Sequence, residues 1–213
     1  MYCSKSLLYI ALGTSITLLA GCSTLNSSST LPEASTHASL TTDVSEYQYL
    51  IGPGDTLNIF VWRNPDISGT FTVRPDGKVT TSLVEDIQVA GKTPTQLARE
   101  IEDKLSTYIN NPRVTISVNS FSGPLSEQVR VIGEAMNPKV VNYTKNMTLL
   151  DLMIAVGGLT EFADGNDAKL VRVVDGKKRT FDIDIDDLIR KGNISKNVDI
   201  LPGDIIIIPE AWF

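Results

Sequence analysis

Short segments in which apolar and polar residues alternate follow turns that contain glycine, proline and aspartate. The clearest is Tyr49–Trp62 (YLIGPGDTLNIFVW), where Pro53, Gly54 and Asp55 lead into apolar residues at alternate positions. Proline fixes φ, glycine adopts the left-handed conformation of a type II turn, and aspartate hydrogen-bonds the backbone just beyond it. Alternation with a period of two predicts a strand. Because the same turn recurs in Ile200–Pro209 (ILPGDIIIIP), we expect similar strands near both ends of the folded region.

From residue 47 to about residue 122 the pattern predicts a compact α+β unit. The predicted strands are Leu57–Val61, Thr70–Val73, Lys78–Leu83 and Arg113–Asn119, with a hairpin turn at Arg74–Gly77. A helix is predicted to begin at Pro94, with Thr93 as its N-cap and Gln96 closing a capping box. Its apolar face is predicted to consist of Leu97, Ile101, Leu105 and Tyr108.

The segment Ser122–Ser126 (SGPLS) is the best candidate for a domain boundary, and a second pattern follows it. Strands are predicted at Gln128–Ile132, Lys139–Tyr143, Lys169–Val174, Arg179–Ile185 and Ile205–Ile208, and a helical turn at Asp186–Lys191. Leu149–Val156 is predicted to be a short helix that is apolar on nearly every side, so we expect it to be buried against a sheet. A single helix on a mixed, curved sheet indicates a β-grasp arrangement.

The first residues have the pattern of a bacterial export signal. Lys5 precedes the apolar segment Leu7–Ala20, which is too short for a stable membrane span. The tetrapeptide LAGC resembles a lipobox, so residues 1–21 are predicted to be a lipoprotein signal peptide and Cys22 to carry the lipid. A plain secretory signal that happens to contain a cysteine is the alternative. In lipoproteins of Gram-negative bacteria a residue such as Ser23, in place of aspartate, favours the outer membrane.

Residues 22–46 are rich in Ser, Thr and Ala, so we predict a lipidated flexible tether. The only histidine, His37, lies in this tether. Loss of Cys3 with the signal and lipid on Cys22 leave the mature chain without a thiol. Because the folded part then has neither a histidine nor a cysteine nucleophile, we predict no enzyme, no catalytic residue and no cofactor.

Composition and charge exclude further classes. With 42% apolar and 21% charged residues the chain resembles an ordinary globular protein. A formal net charge of −6, without a Lys/Arg stripe interleaved with aromatic residues, argues against nucleic acid as a partner. The turn Gly52–Gly54 lacks the Lys-Ser/Thr of a phosphate-binding loop and precedes a strand, so its glycines serve turn geometry.

Asp182, Asp184 and Asp186 alternate with isoleucines, which predicts a row of carboxylates on one strand face. Calcium is one interpretation of this row. However, the glycine and the distal glutamate of a calcium loop are missing, and the solvent side of a half-buried strand explains the pattern more simply. We predict no metal site.

Three aromatic residues are candidates for stacking on sugar rings if they are exposed, because aromatic faces bind such surfaces. They are Trp62, Tyr108 and Phe121. Tyr108 is expected in the core because it continues the apolar helix face. Trp62 alternates away from the apolar residues before it, so its exposure is an open question.

Several motifs together resemble one known family, the outer-membrane polysaccharide export lipoproteins (Wza-like). The motifs are Tyr49–Val61 (YLIGPGDTLNIFV), Val73–Val79 (VRPDGKV), Val89–Thr93 (VAGKT), Pro112–Val118 (PRVTISV), Val129–Pro138 (VRVIGEAMNP), Thr148–Gly158 (TLLDLMIAVGG) and Val198–Pro209 (VDILPGDIIIIP). The first four resemble the family's polysaccharide export domain, here residues 47–122. The last three resemble its soluble-ligand-binding β-grasp (SLBB) domain, here residues 127–213.

The resemblance implies a non-catalytic, ring-shaped homo-oligomer in the periplasm, anchored to the outer membrane by acyl chains. It implies a conduit for a capsular or extracellular polysaccharide that works with an inner-membrane polysaccharide co-polymerase. Wza-like members continue into an amphipathic C-terminal pore helix, whereas here only Glu210–Phe213 follow the last motif. So short a segment does not cross roughly 30 Å of hydrocarbon. We therefore expect a short form that relies on a separate outer-membrane β-barrel.

Two rival hypotheses remain from the sequence. A monomeric periplasmic carbohydrate-binding lipoprotein would use the same lipobox and β-grasp fold. An enzyme acting on the polymer would require an acid/base pair of carboxylates at a suitable separation. The carboxylates available for such a pair lie in no recognisable motif; they are Glu127, Glu134, Glu161 and Asp164.

Overall fold

Two hydrophobic cores lie in the part of the chain that the structure, a computed structural model, describes, namely residues 38–41 and 43–212. The first core is built from residues between Ile51 and Val114, and the second from residues between Val129 and Ile208. Helices and strands occur in both, so the predicted α+β class is confirmed. Within the same ranges, no helix has both the length and the apolar character needed to cross a membrane.

A three-stranded antiparallel sheet and one helix enclose the first core. The strands are β1 (Thr56–Val61), β2 (Gly69–Thr72), β3 (Lys78–Val79), β4 (Ile87–Gln88) and β5 (Val114–Ser120). The sheet has the order β2-β1-β5, while β3 and β4 form a separate pair. Alternate residues of β1 are buried, as its period of two predicts.

The helix of this unit, α1 (Pro94–Leu105), begins as the sequence predicts. Thr93 accepts the N–H of Gln96, and the Gln96 side chain accepts the N–H of Thr93, which completes the capping box. Buried leucine and isoleucine side chains on one face each contribute about 1.5–3 kcal/mol of hydrophobic free energy. Tyr108 was predicted to continue this face, and that is wrong: the helix ends at Leu105, so Tyr108 lies in the following turn and is 64% exposed.

The hairpin predicted around Arg74–Gly77 is only partly correct. The turn forms, since the Gly77 N–H donates to the Arg74 carbonyl at 2.8 Å. However, β2 pairs with β1, and β3 is shorter than predicted and pairs with β4. The reason is that β1, the strand that follows the Pro53 turn, already pairs with the edge of β2. This pairing continues past the end of β2, where the Val73 N–H donates to the Asp55 carbonyl at 2.8 Å.

A five-stranded mixed sheet, with two helices that contribute to the same core, forms the second unit. Its elements are β6 (Gln128–Gly133), β7 (Val140–Asn142), α2 (Leu149–Val156), β8 (Ala168–Val174), β9 (Lys177–Ile183), α3 (Ile185–Ile189) and β10 (Ile205–Ile208). The strand order is β7-β6-β10-β8-β9, and only the β6–β10 pair is parallel among the described ladders of this sheet. The apolar helix α2 is buried as predicted, and its C-cap Gly157 has φ 84°.

The strands predicted at Lys169–Val174 and Arg179–Ile185 pair as a hairpin about Asp175 and Gly176, with Val174 opposite Lys177. Its second strand is shorter than predicted, because β9 ends at Ile183 and Asp184 begins α3. Because the strand ends at Ile183, Asp184 and Asp186 do not continue the strand face on which Asp182 lies.

Candidate functional site

The two Pro-Gly-Asp turns have the same internal hydrogen bonds. In Gly52–Asp55 the Asp55 N–H donates to the Gly52 carbonyl at 3.2 Å, and the Gly52 N–H donates to Asp55 Oδ2 at 2.9 Å. In Leu201–Asp204 the corresponding distances are 3.2 and 2.8 Å. The central glycines have φ of 90° and 86°, the left-handed conformation that a type II turn requires. The aspartate was predicted to bond the backbone just beyond the turn, and that is wrong. Each aspartate carboxylate instead accepts the N–H of the first residue of its own turn.

Asp55 also binds the segment that joins the two units. Its Oδ1 accepts the backbone N–H of Ser122 at 2.6 Å and that of Gly123 at 3.0 Å, and its Oδ2 accepts the Tyr49 hydroxyl at 2.5 Å. The carboxylate is fully buried and its donors are all neutral. Burial raises the pKa of Tyr49 above its ordinary value, and the hydrogen bond to Asp55 raises it further.

Asp204 pairs with a cation instead. Arg172 on β8 donates from Nε to Asp204 Oδ1 at 2.9 Å and from Nη2 to Oδ2 at 2.7 Å, a bidentate pair. The same guanidinium donates to the Asp199 carbonyl at 2.9 Å. Asp204 is fully buried, so loss of Arg172 would leave an uncompensated charge in the protein.

Both turns pack against the joining segment 122–126. A Cβ on Gly52 would lie 1.9 Å from the Gly123 carbonyl carbon, and one on Gly203 would lie 2.7 Å from the Ser126 carbonyl oxygen. The Gln128 side chain donates to the Ser122 carbonyl at 2.8 Å. The predicted boundary is thus held by close backbone packing and buried hydrogen bonds.

A third buried carboxylate, Glu127, binds the chain that precedes the first unit. It accepts the Ser39 hydroxyl at 3.0 Å, the Leu40 N–H at 2.6 Å and the Thr41 hydroxyl at 2.7 Å. Further on, Tyr47 packs edge-to-face on Tyr143, with ring centroids 5.0 Å apart. The segment predicted to be a flexible tether covers residues 22–46. Its residues 39–41 are hydrogen-bonded to Glu127, so the flexible part does not extend to residue 46.

Of the four carboxylates considered for an enzyme, three accept hydrogen bonds from other residues of the fold. Glu127 is buried under Ser39–Thr41, Glu134 accepts the Thr160 hydroxyl at 2.6 Å, and Asp164 accepts the Asp167 N–H at 3.2 Å. Glu161 is exposed.

The row of aspartates predicted on one strand face does not form. Asp182, on β9, pairs with Lys169 at 2.9 Å; Asp184, the N-cap of α3, pairs with Lys196 at 2.6 Å. Asp186, inside α3, pairs with Arg190 at 3.2 Å. The described residues contain no group of three or more His, Cys, Asp or Glu side chains placed to hold a metal ion.

The aromatic candidates for sugar stacking are exposed. Trp62 is 58% exposed and its ring contacts Phe60 edge-to-face, with centroids 6.4 Å apart. Sequence reasoning missed Phe60, although its position in β1, two residues before Trp62, indicates the same sheet face. Phe121 is also exposed and packs edge-to-face on Tyr49, while Tyr108 lies after α1.

Phe60 and Trp62 belong to the outward face of the three-stranded sheet, which we call the hydroxyl face. Cross-strand pairing places them with polar residues on β1, β2 and β5. These polar residues are Thr56, Asn58, Thr70, Thr72, Thr115 and Ser117.

The five-stranded sheet has an outward face of different chemistry, which we call the aliphatic face. Ile206 and Ile208 of β10 enter the core, so Ile205 and Ile207 point away from it. Strand register adds aliphatic neighbours on β6, β7 and β8. Its aliphatic members are Ile132, Val140, Val171, Val173, Ile205 and Ile207, and the same register places Arg130 opposite Ile205 and Lys169 opposite Ile207.

Comparison with known proteins assigns both units. Residues 43–119 match the family described as polysaccharide biosynthesis/export protein, and residues 127–208 match the SLBB domain. The chain therefore contains an export domain followed by an SLBB domain, the arrangement that its resemblance to the polysaccharide export proteins implies. Members of this family are non-enzymatic transport components, which agrees with the prediction that the chain is not an enzyme.

Curated relatives carry export functions in their names. The EPS I polysaccharide export outer membrane protein EpsA of Ralstonia nicotianae is 27% identical over 76% of this chain and 47% of its own length. The capsule polysaccharide export protein BexD of Haemophilus influenzae is 26% identical over 75% of this chain and 43% of its own length. The polysialic acid transport protein KpsD of Escherichia coli is 24% identical over 75% and 28%. The chain thus spans about half the length, or less, of these relatives.

The predicted lipid site is Cys22, and the described residues do not include it. Cys22, Ser23 and His37 lie outside the described residues.

Proposed function

We propose that this protein is an outer-membrane component of a machine that exports an exopolysaccharide or capsule. The observation that carries the proposal is the ordered match of an export domain and an SLBB domain, each coinciding with one of the two cores. The curated relatives named for capsule or exopolysaccharide export support the substrate class. In this proposal residues 47–122 are the export domain and residues 127–213 the SLBB domain.

The proposed location is the periplasmic face of the outer membrane of a Gram-negative bacterium. A lipid on Cys22 would anchor the chain there, and residues 1–21 would leave as the signal peptide. The lipobox supports this anchor, and relatives named as outer-membrane proteins support the membrane. Labelling with radioactive palmitate, compared between the natural chain and Cys22→Ala, tests the anchor.

The proposed assembly is a ring of identical copies that forms a conduit for the polymer. The aliphatic face supports self-association, because contiguous exposed aliphatic side chains mark interaction surfaces. Ile132 is 48% exposed and Ile207 37% exposed, although both are large apolar residues in the middle of the sheet. A ring requires contact between two different surfaces of neighbouring copies, whereas one self-complementary patch would give a dimer.

Mass measurement of the full chain in detergent tests this assembly. We expect an oligomer, and we expect Ile207→Asp to shift it toward monomer. Ile154→Asp, at an exposed position of helix α2, is the matched control for the added charge. A monomer at high protein concentration would favour a carbohydrate-binding lipoprotein instead.

The polymer would reach the conduit through an inner-membrane polysaccharide co-polymerase and leave it through a separate outer-membrane β-barrel. Both partners are part of the proposal. Deleting the gene tests the function as a whole, because a lost export component should leave polymer synthesis intact while stopping its appearance outside the cell.

A further inference from the structure

The hydroxyl face combines two aromatic rings with uncharged polar side chains. Thr56 lies opposite Thr72, and Asn58 lies opposite Thr70 on one side and Ser117 on the other. Phe60 lies opposite Thr115. None of these residues is charged, although 21% of the chain consists of charged residues. At the Trp62 end the face is bordered by Arg113, which lies opposite Trp62, and by Arg63, the next residue after Trp62.

The chemistry of this face differs from that of the aliphatic face. The cores of protein interfaces are depleted of lysine, glutamate, aspartate, serine and alanine relative to the rest of the surface. The aliphatic face exposes isoleucine and valine beside Arg130 and Lys169, whereas the hydroxyl face exposes mainly threonine, serine and asparagine. Hydroxyl and amide groups both donate and accept hydrogen bonds, as a hydroxyl-rich ligand requires.

We propose that the hydroxyl face is a contact surface for uncharged stretches of polysaccharide, an inference that rests on the proposed function. Phe60 and Trp62 supply the apolar surface on which a sugar ring stacks, and the threonines, Asn58 and Ser117 exchange hydrogen bonds with sugar hydroxyls. The contact is a surface for a passing polymer rather than a closed pocket, because all of these side chains lie on one open sheet face.

The local structure positions the aromatic pair. Trp62 donates its N–H to the Arg113 carbonyl at 2.9 Å and its carbonyl accepts the Asn64 side chain at 2.9 Å, so the backbone of Trp62 is fixed from both sides. From Thr56 to Trp62 the extended chain covers about 20 Å, which is enough for several consecutive sugars. The Phe60 and Trp62 rings meet at 73°, so they present surfaces of different orientation.

The side chains assigned to the contact are all uncharged, which gives the contact a distinctive property. Attraction between charges weakens as salt is added, whereas stacking and neutral hydrogen bonds do not depend on ionic strength in this way. Binding at the hydroxyl face is therefore expected to be insensitive to salt.

Tryptophan fluorescence of the full chain in detergent tests the proposal, because the chain has only two tryptophans. Trp212→Phe leaves Trp62 as the reporter on the face, and Trp62→Phe leaves Trp212, which is fully exposed, as the matched control. The probes are short neutral β-1,4-glucan oligosaccharides, with oligogalacturonate as the charged comparison.

We expect the neutral probe to change Trp62 emission and leave Trp212 emission unchanged. Half-saturation should be the same at about 50 mM and about 500 mM salt. Phe60→Ala should weaken the response about tenfold, and Tyr108→Ala, a control aromatic residue away from this sheet, should not. Circular dichroism of each variant checks that it folds.

Three results would overturn the proposal: no response of Trp62 to the neutral probe, an equal response of both reporters, or a preference for oligogalacturonate that salt abolishes. A change in Trp62 emission caused by raising the protein concentration alone would assign the face to a second copy of the chain and also overturn it. The proposed function fails separately. If a strain with Phe60→Ala and Trp62→Ala exports polymer normally while the gene deletion does not, only the contact surface is wrong.

Discussion

The carboxylate of Asp55 accepts the backbone N–H of Ser122 at 2.6 Å, although 67 residues separate them in the sequence. This bond connects the turn that begins the first sheet to the segment that leaves it. At the other end of the chain Asp204 pairs with Arg172, and its turn packs against Ser126. Two turns of the same sequence, each with a buried aspartate, thus contact the segment 122–126 between the export and SLBB domains.

Replacing Asp55 by alanine should destabilise the protein strongly. The N–H groups of Gly52, Ser122 and Gly123 would lose their acceptor in a buried place, at a combined cost of about 3 kcal/mol or more. Urea denaturation followed by circular dichroism measures the change in the free energy of unfolding. Asp66→Ala, at an exposed position, is the control and should change it by less than about 0.5 kcal/mol. Equal effects of the two substitutions would contradict the role given to Asp55.

Stability should fall at alkaline pH, in part because of Tyr49. Burial raises the pKa of Tyr49 in the folded state, so the unfolded chain releases this proton first. The stabilisation is complete below the ordinary tyrosine pKa of about 10 and is lost as pH rises beyond it, by at most about 1.4 kcal/mol per pH unit. The partial exposure of Tyr49 limits the size of its pKa shift and therefore the total loss of stability.

The measurement is the free energy of unfolding as a function of pH for the natural chain and Tyr49→Phe. The variant should be less stable at neutral pH, because it lacks the bond to Asp55, but should lose less stability above pH about 10. Burial also raises the pKa of Tyr47 and Tyr143, so part of the alkaline loss remains in the variant. Parallel curves for the two proteins would contradict the assignment to Tyr49.

Gly52→Ala should be among the most damaging glycine substitutions. Its Cβ would lie 1.9 Å from a backbone carbon of Gly123, so one of two connected segments has to move. We expect a loss of about 3 kcal/mol or more, above the usual cost of overpacking. Gly176→Ala is the control: it has φ 71° and open space around it, so only the backbone strain of about 1 kcal/mol applies. Melting temperatures that fall equally would show that Gly52 is not closely packed.

Glu127→Gln should loosen the chain that precedes the export domain. The neutral amide accepts weaker hydrogen bonds than the carboxylate and places an NH₂ group against the donors of Ser39, Leu40 and Thr41. Hydrogen–deuterium exchange at Leu40 and Thr41 should become about tenfold faster or more, since charged hydrogen bonds contribute about 1.5–3 kcal/mol. Glu161→Gln is the control. Unchanged exchange in Glu127→Gln would mean that other contacts hold this segment.

Local signals in the sequence predicted the parts of the fold that depend on neighbouring residues. The capping box at Thr93 and the turn at Pro53–Asp55 follow from residues three positions apart, and both have the expected local geometry. The strand face exposing Trp62 follows from the period of two in β1.

The partners of the buried carboxylates could not be predicted in the same way. Asp55 bonds Ser122, Asp204 pairs with Arg172 and Glu127 bonds Ser39, and these partners lie 67, 32 and 88 positions away in the sequence. No pattern along the chain marks such pairs. The error at Tyr108 has a different cause: apolar spacing continued past Leu105, where the helix ends.

The central claim is that the protein exports polysaccharide, and the most direct test compares released and cell-associated polymer in a strain lacking the gene. The account predicts that released polymer disappears while the cells still contain polymer or its lipid-linked precursors, and that the natural gene restores release. Asp55→Ala should restore less than the natural gene, with Asp66→Ala as the control. Normal release of polymer from the deletion strain would contradict the account.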